Sequence, residues 1–431
     1  MNKNIKLAVA GAVLALSATA ANAGIIIPAG EWTIDINGNV NAFGSYAKFK
    51  GDDLSSTGSN VAGAIAKGPT QSANDQALGI NTGLLPGWLG FTGKTRQNDL
   101  DVEFTISMQP GVSNNTATGD GLIGGEFSSF GNRQTYVSFG DKSWGSVKLG
   151  KDLGVFASDA ILNDMTLLGV GAMGDGGLGG ANSSSIYNTT LGGIGTGYIY
   201  AAWKAQIAYT TPNFNGFQAT VALTNPNQLP QANTGNSIFD GTTSPLFNDP
   251  INQDRPGVEG KASYSFAGDA LAGKIWVSGV TYDVNTSKTT GQGHTVTAAD
   301  LGANLNAGNL GVTGYYYRGE GAGTTFLGNA GWNSATNSKR DSDGGYLQLT
   351  YKLPTATKIG FAYGVSNLDR TTGDAANAAL IDKNERMTVG LYHPLTKHLN
   401  LVAEYNDIES RGHNGAKAEQ QQGSLGAILF F

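Results

Sequence analysis

Over most of this chain apolar residues recur at every second position. Met387, Val389 and Leu391 share one face. Leu399, Leu401, Ala403 and Tyr405 share another, opposed by Asn400, Glu404 and Asn406, and Leu425, Ala427, Leu429 and Phe431 close the chain. The same alternation runs through Leu347, Leu349 and Tyr351, through Ile359, Phe361 and Tyr363, through Leu301, Ala303 and Leu305, and through Ala262, Tyr264 and Phe266. The intervening positions are polar or glycine, and the charged ones include Glu259, Lys261, Lys358, Arg386 and Glu404. Period two with one apolar face predicts half-buried strands.

One stretch departs from this pattern. Residues 149–175 begin as a strand, and then Ile161, Leu162, Met165 and Leu168 fall at helical spacing. The spacing predicts a helix over 158–168 with Ser158 as N-cap and Asp159, Asn163 and Thr166 on its polar face. A glycine-rich run follows to about residue 196.

The connections between strands decide the architecture. Short turns at 96–99, 141–143, 212–216, 268–272, 306–309, 354–357 and 394–398 alternate with long polar loops. The loops run over 51–85, 111–132, 152–196, 225–256, 285–293, 319–344, 366–383 and 409–421. Strict alternation puts all short turns at one end and all long loops at the other. A soluble sandwich has no reason to sort its connections so, whereas an outer-membrane barrel does. The segments number 16, from near Glu31 to Phe431, an even count as such barrels require. At ~9–12 residues each can cross a bilayer at the usual tilt. The predicted fold is therefore all-β, a 16-stranded antiparallel transmembrane β-barrel. Closure removes sheet edges that lipid would leave unpaired at several kcal/mol per group. Tyr316, Tyr351, Tyr363, Tyr392, Tyr405 and Phe431, near strand ends, suit interfacial aromatic girdles.

Composition agrees. Residues 1–23 carry Lys3 and Lys6, an apolar run and an Ala-Asn-Ala cleavage site at 21–23. They read as a signal peptide, leaving 24–431 as one barrel domain. Losing those lysines leaves 25 basic against 33 acidic residues and moves the net charge from −6 to −8. No basic stripe favours nucleic acid. There is no cysteine, so neither disulfides nor thiolate chemistry is available. His294, His393, His398 and His413 fall in no zinc-ligand spacing, and no nucleophile elbow is present, so no enzyme activity is expected. The Asn/Asp-rich run at 248–254 lacks EF-hand spacing and reads as solvated loop rather than a calcium site. No metal and no cofactor are implied.

Three motifs carry a family resemblance. They are Leu-Gly-Phe-Thr-Gly-Lys-Thr at 89–95, the pair Arg-Gln-Thr-Tyr-Val-Ser-Phe-Gly at 133–140 with Gly-Ser-Val-Lys-Leu-Gly-Lys at 145–151, and the terminal Phe431. With the loop arithmetic, the chain resembles the Gram-negative general porins, trimeric diffusion channels of 16 strands. The resemblance implies that the loop after strand five folds into the lumen and narrows it. It implies that acidic residues on that loop face basic residues on the wall, and that Phe431 is the signal read by the barrel-assembly machinery. Residues 149–155 look like the start of that loop, and Asn163-Asp164-Met165 like its short acidic motif. Lys151 matches a basic wall position. The candidate constriction set is Lys151, Asp152, Asp159, Asp164, Lys204 and Asp175, with Glu259, Lys261, Lys358, Arg386 and Glu404 as lumen-wall residues solvated by pore water.

Two departures weaken the expected charge filter. Residues 166–171 read Thr-Leu-Leu-Gly-Val-Gly, without the second acid that the family often has there. Trp88 stands where the family often has an arginine before Leu-Gly-Phe. Opposed charges in a narrow wet lumen orient dipolar solutes, and the bore sets a size limit. The expected function is passive diffusion of small hydrophilic solutes and ions through a homotrimer in outer-membrane lipid. A substrate-specific channel, or a plugged adhesin-like barrel, are the alternatives.

Overall fold

The computed structural model describes residues 24–55, 58–69, 75–110, 130–173, 189–225, 255–285, 293–328, 330–333 and 335–431. Residues 1–23, expected to be a signal peptide, Asp175 and the run at 248–254 lie outside the described residues. The strands are β1 (Ile25–Ala29), β2 (Trp32–Gly51), β3 (Gln76–Asn81), β4 (Trp88–Gln97), β5 (Leu100–Pro110), β6 (Phe130–Asp141), β7 (Gly145–Leu153), β8 (Trp203–Thr210), β9 (Phe217–Thr224) and β10 (Gly257–Ala267). They continue as β11 (Ala272–Asn285), β12 (Gly293–Ala307), β13 (Leu310–Glu320), β14 (Trp332–Asn333), β15 (Ser338–Lys339), β16 (Asp341–Lys352), β17 (Lys358–Leu368), β18 (Ile381–Pro394), β19 (Leu399–Gly412) and β20 (Lys417–Phe430).

Antiparallel pairing runs from β2 to β4, through β5 to β13 in sequence, then through β16 to β20, and returns from β20 to β2. The sheet has 18 strands, of which β1 and β3 are short pieces laid end to end with β20 and β4 along the edges of β2. Without those two pieces, 16 strands close the ring, as the alternation of turns and loops predicts. At the seam the Gly38 N–H donates to the Phe431 carbonyl at 2.8 Å, and the Phe431 N–H donates to the Gly38 carbonyl at 3.1 Å. The short turns lie where expected. Asn98 and Asp99, between β4 and β5, both take positive φ (49° and 62°), which suits the twist of a two-residue hairpin.

The barrel is apolar outside, and its inner wall carries the polar side chains of the alternation together with apolar residues that pack against the inward loops. Leu347, Leu349, Ile359, Phe361, Val389, Leu391 and Leu425 are exposed on the outer face, while Asn400, Glu404, Asn406, Gln422 and Ser424 are buried on the inner one. Tyr316, Tyr351, Tyr363 and Tyr405 are exposed outward, as a girdle requires. Tyr392 differs: it is 2% exposed and points inward, where its hydroxyl donates to Glu404 Oε1 at 2.7 Å. Its position in the even register of β18, with Thr388 and Arg386, fixes that direction.

Candidate pore constriction

The segment after β7, the third long loop, turns into the lumen over its described residues, 154–173 and 189–202. It holds a single helical turn, α1 (Ser158–Leu162), and a 3-10 turn (Met165–Leu168). The helix is shorter than the 158–168 predicted. Its N-cap is Ala157 in the left-handed region (φ 59°), not Ser158, whose Oγ instead donates to the Val155 carbonyl at 2.8 Å. Asp164 ends the helical run. Its Oδ1 accepts the Thr166 N–H at 2.9 Å and so caps the 3-10 turn.

Irregular backbone at membrane depth must find partners for its amides. The wall supplies them in order around the barrel. Glu259 on β10 accepts the N–H groups of Val155 at 2.7 Å and Phe156 at 2.9 Å through one oxygen. Asp300 on β12 accepts from Ala157 at 3.2 Å, and Gln348 on β16 from Met165 at 2.6 Å. Glu404 on β19 accepts from Val170 and Gly171, both at 2.8 Å. Ser366 on β17 accepts from Gly197 at 3.0 Å, and Gln422 on β20 donates to the Gly171 carbonyl at 3.0 Å. The loop thus lies along the wall from β10 to β20. At the short-turn end a cavity of 810 Å³ opens, lined by residues from Glu31 through β9 that include Lys94, Glu103, Arg96, Asp141, Ser138 and Ser146.

The predicted residues take three kinds of place. Lys151 is a correction. It pairs in register with Thr135 and Ala205, on the face that exposes Leu149, Val137 and Ile207. Its Nζ donates to the Asn132 carbonyl at 2.8 Å, on the outer surface of the barrel. The alternation of a strand puts Lys151 and Asp152 on opposite faces, and Asp152 is the inward one. Asp152 accepts from Gln134 Nε2 at 2.9 Å and pairs with Lys148, which the sequence reading passed over.

Asp159 and Asp164 are inside the lumen but not free in it. Asp159, expected on a polar helix face, is 4% exposed. It sits between Lys261, at 2.9 Å, and Lys274. Asp164 is 1% exposed: its Oδ2 accepts from Tyr198 Oη at 2.9 Å and the Gly193 N–H at 3.1 Å, and lies 3.7 Å from Arg386. Lys204 is buried in an ion pair with Glu259. The wall residues Glu259, Arg386 and Glu404 therefore hold the third loop instead of standing solvated, because the amides that this loop brings inside demand acceptors. Lys358 points inward near the short turns, 5.0 Å over the Tyr392 ring.

Arg133 was hidden in the sequence by a bulge. Ser107 faces Gln134 and Met108 faces Asn132, so Arg133 is the extra residue of β6. Its guanidinium lies 4.5 Å from the Trp88 ring and 4.2 Å from the Trp203 ring, and donates to Gln134 Oε1 at 2.8 Å. A bulge re-aims the side chain it adds. Trp88, the residue in place of the family's arginine, thus carries a guanidinium on its face that comes from another strand.

A profile of the Gram-negative porin family matches residues 8–413. The chain belongs to the Gram-negative porin family. It is an outer-membrane β-barrel channel for passive diffusion. No curated protein sequence matches this porin. Among solved structures, the outer-membrane channel DcaP of Acinetobacter baumannii shares 17% identity, over 95% of this chain and all of that one, with a TM-score of 0.63. The anion-selective porin of Comamonas acidovorans shares 16% over 93% of this chain and all of its own, with a TM-score of 0.58. Salmonella typhi OmpF, solved with daunomycin, shares 14% over 94% of this chain and all of its own, with a TM-score of 0.53. At these identities the likeness is one of fold.

Proposed function

We propose that the third loop, over its described residues 154–173 and 189–202, forms the eyelet through which this porin passes small hydrophilic solutes and ions. The observation that carries this reading is the row of wall acceptors, Glu259 to Glu404, that holds the loop's amides along one arc of the inner wall. Towards the short turns Lys148, Lys94, Glu103 and Arg96, partly exposed, are the charges that meet a solute, since Asp159 and Asp164 are buried in their ion pairs. The chain works without a cofactor, metal or catalytic step. Residues 1–23 are its leader, Phe431 its signal to the barrel-assembly machinery, and its assembly in outer-membrane lipid a homotrimer. Planar-bilayer recording tests the reading: purified, folded protein gives stepwise conductance, and none would sink it.

One observation favours a second reading, a substrate-specific channel. Trp88, Arg133 and Trp203 stack at the loop's exit, and Tyr200 and Phe326 continue the aromatic row at 5.8 Å between rings. A solute that stacks there saturates the pore. Conductance block that plateaus with one solute class and is lost in Trp203→Ala supports it, and block that rises linearly with every solute returns the first reading.

A further inference from the structure

The third loop is not the only long connection inside this barrel. The segment between β13 and β16 leaves the wall at Gly321, whose N–H donates to the Arg340 carbonyl at 2.9 Å. It then folds inward. Ala322, Thr324, Thr325, Phe326 and Leu327 are each at most 2% exposed, as buried as core residues of a soluble protein. Phe326 and Leu327 join one apolar cluster with Val280 and Tyr282 of β11, Val296 of β12 and Ile199 and Tyr200 of the third loop. The contact with the third loop is specific. The Tyr200 N–H donates to the Thr325 carbonyl at 2.9 Å, and the Phe326 and Tyr200 rings meet edge-on at 88°.

A polar strap keeps the segment in. The Arg340 guanidinium grips Asp374, from the loop after β17, through Nε at 2.9 Å and Nη2 at 2.6 Å. Its Nη1 donates to the carbonyls of Ala330 at 2.7 Å and Trp332 at 2.9 Å, back on the inward segment. Asp374 is held in turn by the Thr371 N–H at 2.8 Å and Asn333 Nδ2 at 2.8 Å. Both side chains are largely buried, at 12% and 5% exposure. A bidentate pair whose remaining donors and acceptors are also filled is geometrically fixed. It ties two external loops into one unit above the eyelet.

We propose that the described residues from Gly321 to Gly331 form a second, outer constriction that limits the size of solutes reaching the third loop, with Arg340 and Asp374 as its positioning residues. This rests on the channel reading above. Two narrowings in series each add resistance, and the narrower one sets the cutoff for bulky, branched solutes. Phe326 and Thr325 are the part that presses on the third loop; Arg340 and Asp374 touch no solute and act by holding that part in place.

The test uses the full chain in planar bilayers and in liposomes swelling in a series from mono- to tetrasaccharide. Arg340→Gln and Asp374→Asn should each raise unit conductance by about twofold or more and shift the swelling cutoff towards larger sugars. Arg340→Lys keeps a cation beside Asp374 but loses the fork that also holds Ala330 and Trp332. It should give a cutoff between Arg340→Gln and the wild type, a graded order that a general loss of stability would not give. Phe326→Ala removes bulk with the strap intact and should raise the tetrasaccharide-to-monosaccharide ratio. Unchanged conductance and cutoff in all of these, with a conducting wild type, would overturn the outer constriction and leave the segment as filler. A wild type that does not conduct overturns the channel reading instead.

Discussion

Glu259 and Glu404 stand near the two ends of one arc of the wall, on β10 and β19, and hold the third loop by the same contact. In each, a single carboxylate oxygen accepts two successive backbone N–H groups, of Val155 and Phe156 in one case and of Val170 and Gly171 in the other. The two glutamates fasten the loop near its start and again just past its 3-10 turn.

Removing either acceptor leaves two buried amides without a partner, at about 1–3 kcal/mol each before water enters. Glu404→Ala should therefore loosen the loop while the barrel stays closed, and raise open-channel noise and mean conductance. Glu404→Gln keeps one acceptor oxygen and should lie between it and the wild type. Glu259→Ala also strands buried Lys204, so it should lower the unfolding temperature in detergent more than Glu404→Ala does. Equal thermal shifts with a quiet, unchanged channel would show that these carboxylates do not hold the loop.

Asp159 and Asp164 should separate charge from shape. Asp159→Asn uncovers Lys261 and Lys274, so the reversal potential in a salt gradient should move towards anions. Asp164→Asn weakens the contacts to Tyr198, Gly193 and Arg386, and should change conductance more than selectivity. The opposite pattern would make Asp164 the acid that sets the lumen field and Asp159 the one that fastens the loop.

The barrel was legible in the sequence because lipid outside and water inside impose period two, and because turn length sorts by end. The inward course of the third loop, and acids on it facing wall cations, were readable only through resemblance, and which partner engages which acid was not readable. Asp159 and Asp164 look like pore charges in one dimension. Their partners, Lys274, Tyr198 and Arg386, come from β11, the far limb of the loop and β18, and only closure of the ring brings them together. Arg133 was lost differently: a one-residue bulge breaks the parity that strand reading depends on. The inward segment after β13 reads as one more glycine-rich loop, since nothing in Gly321 to Leu327 says that Tyr200 will lie beneath it.

Lys151 gives a direct check of parity. It shares the outer face with Leu149 and reaches the Asn132 carbonyl, so Lys151→Gln should leave conductance and reversal potential as in the wild type. Lys148→Gln, three residues earlier and inward beside Asp152, should shift the reversal potential towards cations. A selectivity change in the first and none in the second would mean that the register of β7 is off by one.

The strap should respond to acid late. Burial by itself raises the pKa of Asp374, but the Arg340 guanidinium and the Thr371 donors outweigh it and hold the carboxyl below its ordinary value. A carboxyl with a lower pKa in the folded loop than in the released one contributes its full stabilisation above the released value of about 3.9, and loses it as pH falls further. Conductance should therefore stay level from neutral pH down to about 4 and rise only in stronger acid, as protonated Asp374 lets go of Arg340. Asp374→Asn should show the raised conductance already at neutral pH and no further step in acid. Recording unit conductance against pH for both proteins decides the matter: a wild-type rise centred between about pH 5 and 7, kept in Asp374→Asn, would assign the acid response to another group.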